Sequence, residues 1–179
     1  MKYFLILLLI APLSLLAGEQ EYNYKIKSGD QEYTFRTRED RWHVEAGTKL
    51  WNTEVMYRYA DQDGTIENRL KLTTELFSYK DFTLEGRMEY RHFDNKESHW
   101  RYRFIAEYTP HLVGKLYGYV KLQPRWSLKD AGVKFDARDQ LGITYKAASW
   151  KITPFIERNS TEGYNKKMTV AGIHWEANI

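Results

Sequence analysis

Apolar and polar residues alternate one by one along most of this chain. That period of two marks a β-strand whose two faces meet different surroundings. In residues 82–92, Phe82, Leu84, Gly86, Met88 and Tyr90 share one face, and Thr83, Glu85, Arg87, Glu89 and Arg91 share the other. Leu70, Leu72, Thr74 and Leu76 oppose Arg69, Lys71, Thr73 and Glu75, and Trp100, Tyr102, Phe104, Ala106 and Tyr108 oppose Arg101, Arg103 and Glu107. The same alternation runs through residues 42–50, 54–59, 115–122, 141–146 and 150–157. The segments run about 9–12 residues, the length of a tilted strand that crosses a bilayer. Outside the N-terminus no stretch is long and apolar enough for a membrane helix.

Each strand therefore has an apolar face and a charged face. In a soluble sandwich the charged face would be solvated. Two features favour a barrel instead. Aromatic residues close the apolar rows, as at Phe82 and Tyr90 or Trp100 and Tyr108, where interfacial girdles belong. The chain also ends in alternation, with Ala171, Ile173, Trp175, Ala177 and Ile179. This resembles the C-terminal signal read by the barrel-assembly machinery, although the last residue there is usually aromatic. The expected fold is all-β, a transmembrane antiparallel β-barrel of the Gram-negative outer membrane. About ten strands fit, and twelve also fit at ~13 residues per strand and turn. Short periplasmic turns are expected near residues 78–81, 109–114 and 147–149, and longer outer loops near 92–98, 125–134 and 158–167. Both chain ends are expected on the periplasmic side, with residues 22–26 either a further strand or a periplasmic lead-in.

Composition sharpens this picture in three ways. Six Trp, fourteen Tyr and eight Phe make 16% of the chain aromatic, which suits a protein with membrane–water interfaces to anchor. The absence of cysteine excludes disulfides, thiol chemistry and zinc–thiolate sites. A net charge of +3 is too small to imply nucleic acid. Residues 1–17 read as a signal peptide, with Lys2 as the charged start, an apolar run interrupted by Pro12, and cleavage after Ala17. Residues 18–179 then form the barrel domain.

A charge facing lipid near the midplane costs about 2–4 kcal/mol, so the charged rows belong to the lumen. The candidate lumenal anion-binding residues are Arg58, Arg69, Lys71, Arg87, Arg91, Arg101, Arg103, Lys115, Lys121 and Arg138. Further basic residues on these rows are Arg36, Arg38, Lys49, Arg125, Lys146 and Lys151, opposed by a smaller acidic set that includes Glu45, Glu67, Glu89 and Glu157. Two readings follow. Arg and Lys rings line anion pores, and the guanidinium fork matches carboxylates. Alternatively, cross-strand Arg–Glu pairs fill the lumen and close it. The partners implied are a lipid bilayer and an anionic small molecule or oligosaccharide, with the barrel a monomer.

Residues 33–42 carry the pattern Y-x-x-R-x-x-E-D-R. Together with Arg87 and Arg91, Arg101 and Arg103, and W-x-x-x-P-F-x-E at 150–157, they resemble the monomeric porins specific for oligogalacturonate. The resemblance implies a twelve-stranded barrel that passes acidic oligosaccharides along arginine tracks. This chain is shorter than typical members.

Enzymatic readings rank lower. His174 and Glu176 share a face and could orient a base, but no serine lies near them on that face. His92 and His99 flank a loop with Asp94, Asn95 and Glu97 that reads as a solvated tip rather than a metal site. No cofactor motif is present, and the expectation is a protein without catalytic activity.

Overall fold

The computed structural model describes residues 19–39, 41–62, 64–161 and 166–179. The expected signal peptide lies outside these residues. Among the described residues the chain is strands and turns, without helix. In chain order the strands are β1 (Glu19–Ser28), β2 (Gln31–Arg38), β3 (Arg41–Leu50), β4 (Thr53–Gln62), β5 (Thr65–Tyr79) and β6 (Phe82–Phe93). They continue as β7 (His99–Tyr108), β8 (His111–Val113), β9 (Leu116–Lys129), β10 (Gly132–Lys146), β11 (Trp150–Thr161) and β12 (Lys166–Asn178).

Eleven of these strands form a closed wall, and the three-residue β8 is an extra strand beside β9. Neighbours around the wall pair antiparallel except at the closure. There β12 meets β1 in parallel, with Glu19 beside Val170 and Lys27 beside Asn178. An odd number of alternating strands can close only with one parallel pair. Eleven lies between the ten and twelve expected from sequence. It also corrects the placement of the chain ends. β1 begins at one rim, here the N-terminal rim, and β12 finishes at the opposite, C-terminal rim. Residues 22–26, left open as strand or lead-in, lie within β1.

The loop lengths also differ from expectation. β9 and β10 run on to Lys129 and back from Gly132, so the supposed outer loop near 125–134 is a two-residue turn. β11 likewise continues to Thr161, well into the stretch read as a loop from 158. Paired backbone groups in long strands outcompete a polar loop, because sequence polarity at 125–127 reflects lumen-facing residues rather than solvent. Connections of both rims are thus short, and their length does not separate an outer from a periplasmic side. Tight turns place Gly29 and Gly64 at φ 57° and 75°, where glycine carries no Cβ penalty.

The wall is apolar outside and polar inside. Leu70, Phe104, Leu122, Leu141 and Ile143 are exposed on the exterior. Aromatic pairs band both rims. Trp42–Tyr59 (5.8 Å), Tyr90–Trp100 (5.0 Å) and Trp126–Phe135 (5.3 Å) lie toward the N-terminal rim. Phe77–Phe82 (6.2 Å) and Tyr145–Trp150 (5.5 Å) lie toward the C-terminal rim. The interior inverts a soluble core, with Glu67, Glu89 and Glu157 at 0% exposure. Where an apolar side chain does point inward, a glycine makes room. A Cβ on Gly172 would lie 2.4 Å from Cζ of Phe155, so that ring rests against bare backbone.

Candidate functional site

The register sets arginines directly opposite one another across strands. Arg58 faces Arg69, and Arg69 faces Arg91, across β4, β5 and β6. Arg87 faces Arg103, and Arg103 faces Arg125, across β6, β7 and β9. Like charges directly opposite destabilise a sheet. Carboxylates on the wall relieve the repulsion by sharing. Glu89 lies 3.2 Å from Arg69, 3.0 Å from Arg103 and 4.0 Å from Arg101. Glu67 accepts from Arg91 at 2.7 and 2.9 Å and from Arg69 at 2.6 Å. Glu157 lies 3.2 Å from Arg138 and 3.6 Å from Arg38, and also accepts from the amides of Gln140 (2.6 Å) and Asn159 (2.7 Å). Glu45 is paired with both Arg58 and Lys71, and Asp136 with Arg125. Glu67, Glu89 and Glu157 have no exposed side-chain surface and hold the guanidiniums around them in place.

Four cavities follow one another along the lumen and overlap in their linings. The first opens at the N-terminal rim, with a volume of about 590 Å³, between Phe93, His99, Lys129 and Lys134. It shares Gln62, Arg91 and Arg101 with a second, of about 180 Å³. Ten arginines line that second cavity, and Glu21 is the one carboxylate among its described lining residues. A third, of about 120 Å³, shares Arg36, Arg58, Arg103 and Arg138 with the second. The fourth, of about 340 Å³, opens toward the C-terminal rim and shares Asn23, Lys25 and Lys121 with the third. Its charges are mixed and paired, as in Lys25–Glu32 at 2.7 Å, Lys121–Glu107 at 2.9 Å and Lys151–Glu176 at 3.3 Å.

The smallest of these cavities thus meets the arginine-rich one at four arginines. Arg36 stands on β2, Arg58 on β4, Arg103 on β7 and Arg138 on β10. They are spread around the wall and form a collar.

Of the sequence candidates, Arg58, Arg69, Arg91, Arg101, Arg103 and Arg138 line the arginine-rich half. Lys71 lines the narrow central cavity. Arg87 and Lys121 line both that cavity and the one at the C-terminal rim. Lys115 is corrected: it lies in the connection between β8 and β9 and is exposed at the rim, because β9 begins only at Leu116. Lys49 is exposed too. Sequence reasoning did not single out Glu21, Asn23, Gln123 and Gln140, all buried in the lumen. Glu21 and Asn23 face the lumen only because β1 belongs to the wall. Gln123 and Gln140 carry no charge, and alternation alone marks them as inward.

The histidines find structural roles. His174 packs edge-on against Phe155 at 4.2 Å and bonds Asn23 at 3.3 Å, while Glu176 pairs with Lys151 and Lys27 rather than with His174. His92 bonds Ser98 at 2.9 Å, and His99 stacks on Phe93 at 5.6 Å. Among the described residues no group of acidic or histidine side chains is arranged to hold a metal.

Fold and lumen together define a transmembrane β-barrel with a cationic interior. No protein-family model and no curated protein sequence matches the chain. Among solved structures it is similar to OmpT (in-vitro folded), an outer membrane protein of Vibrio cholerae, at 11% identity and a TM-score of 0.42. The match covers 83% of this chain and 58% of that one.

Proposed function

We propose that the protein is a small monomeric channel of the outer membrane through which anionic solutes diffuse passively. The observation that carries this reading is the series of cavities along the lumen with shared linings, the arginine collar standing where the second meets the third. Stability alone gives no reason for arginines stacked opposite arginines on three adjacent strands. Such costly arrangements concentrate where function demands them. An anion entering from the N-terminal rim meets Arg91 and Arg101 first, then the collar, then the mixed charges beyond it. Acidic oligosaccharides are one candidate cargo, from the sequence resemblance. The small central cavity favours compact anions. No catalytic step is assigned to any side chain.

The test is a reversal potential across a planar bilayer in a salt gradient. The wild-type barrel gives an anion-selective potential. Replacing Arg36, Arg58, Arg103 and Arg138 by Gln moves it toward zero. An unchanged potential in that variant would remove the collar from the account.

A second reading is favoured by the fully buried Glu67, Glu89 and Glu157. In it the ion pairs are a core, and the barrel is a closed scaffold or an interaction surface. It requires a folded barrel without conductance.

A further inference from the structure

We infer that the arginine collar is a binding site for one compact, multiply charged oxyanion of the phosphate or sulfate class, so that such ions saturate the lumen rather than stream through it. This rests on the channel reading and adds a ligand class to it.

Three observations converge. The first is anchoring. Each collar guanidinium is tethered on its wall side: Arg36 lies 3.5 Å from Glu21, Arg58 is paired with Glu45, and Arg138 lies 3.2 Å from Glu157. Arg103 donates to Gln123 at 3.0 Å and pairs with Glu89 at 3.0 Å. Tethers of this kind fix the side chains before a ligand arrives and lower the ordering cost of binding.

The second is spare donor capacity. A guanidinium has five N–H groups, and one tether leaves several free. Arg103, which lines both the second and third cavities, uses Nη1 on Gln123 and Nη2 on Glu89, and each of these nitrogens carries a second N–H. The wall carboxylates are already shared among several cations, Glu89 among Arg69, Arg101 and Arg103, and Glu157 between Arg38 and Arg138.

The third is size. The cavity beneath the collar, about 120 Å³, suits a few waters or one small ion rather than a sugar chain, and its eight lysines and arginines outnumber the carboxylates of Glu32, Glu45 and Glu54. A tetrahedral oxyanion of the sulfate or phosphate class brings more than one charge on average and four oxygens into that space. It matches guanidinium forks, which bind such groups bidentately, better than chloride does.

The experiment follows chloride current through single barrels in a planar bilayer as inorganic phosphate or sulfate is added. The inference expects a saturable fall in current, and no such fall with nitrate. Arg103→Lys keeps the charge but loses the fork, and it raises the half-blocking concentration about tenfold. Arg103→Gln abolishes the block. Heat-modifiable mobility on a gel confirms that each variant is folded. Glycerol phosphate distinguishes the source: block by it alone marks a phosphomonoester as ligand, and block by the inorganic ions alone marks the free oxyanion. Current that scales with phosphate without saturating overturns the inference, as does a block equal in wild type and both variants. If no current is seen at all, the channel reading fails, and the collar is then read by melting. Phosphate or sulfate should raise the melting midpoint of the detergent-solubilised barrel, but not that of Arg103→Gln. Absence of that shift would end the proposal independently.

Discussion

Glu89 has no exposed surface and serves three arginines from β5 and β7. Removing it leaves Arg101 and Arg103 without their carboxylate and Arg69 with Glu67 alone. Loss of one partner from a buried ion pair typically costs about 3–5 kcal/mol. Glu89→Ala should therefore lower the urea midpoint of the barrel in detergent by an equivalent amount, whereas loss of the exposed Lys49 should leave it unchanged. Phe155 gives a second prediction at this scale. Its ring lies where a side chain on Gly172 would have to be, 2.4 Å from the ideal Cβ. Gly172→Val should destabilise strongly, and Phe155→Ala should relieve the part due to the ring while leaving the 2.8 Å approach to the Glu21 carbonyl oxygen. A double-mutant cycle in thermal unfolding reads that coupling, and additive effects would show that the two do not share the space.

At the scale of the strand, alternation decides which neighbour sees lipid. Leu70 faces outward at 46% exposure, between the inward-facing Arg69 and Lys71, which are 4% and 3% exposed. Leu70→Arg should cost about 2–4 kcal/mol in the equilibrium folding of the barrel into vesicles, and Leu70→Tyr close to nothing. The closing pair is the other point of interest. β1 and β12 are the only parallel neighbours among the described strands, and parallel pairing is slightly weaker per residue. Amide hydrogen exchange should open first along this seam, ahead of β5 and β6. Uniform protection around the wall would contradict that order.

Sequence patterning is most informative at this same scale. The period of two identified the lipid and lumen faces correctly for Arg69, Arg87, Arg101 and Arg103, because a one-residue slip would put whole rows of charge in lipid. It failed where composition stood in for pairing. The polar stretch at 125–134 looked like a loop, yet Arg125 is an inward strand residue paired with Asp136. The parity of the strand count depends on whether β1 joins the wall, which alternation alone does not decide. The collar was half legible. Arg58, Arg103 and Arg138 were among the candidates and Arg36 was on the same rows. Their convergence on one level depends on register and tilt, which no single strand encodes.

Over the whole molecule, charge is distributed unevenly along the axis. The half toward the N-terminal rim concentrates arginine around one cavity, and the half toward the C-terminal rim holds lysine and glutamate in paired mixture. A lumen asymmetric in this way should pass anion current more readily in one direction than the other, and current–voltage curves from barrels inserted in one orientation should rectify. Loss of rectification is expected in the variant with four collar substitutions.

The most direct measurement is single-channel recording from the refolded barrel in a planar lipid bilayer. The account predicts discrete, anion-selective conductance steps. A heat-modifiable, β-rich sample that inserts and yields no steps would contradict it and establish the closed, ion-paired barrel in its place.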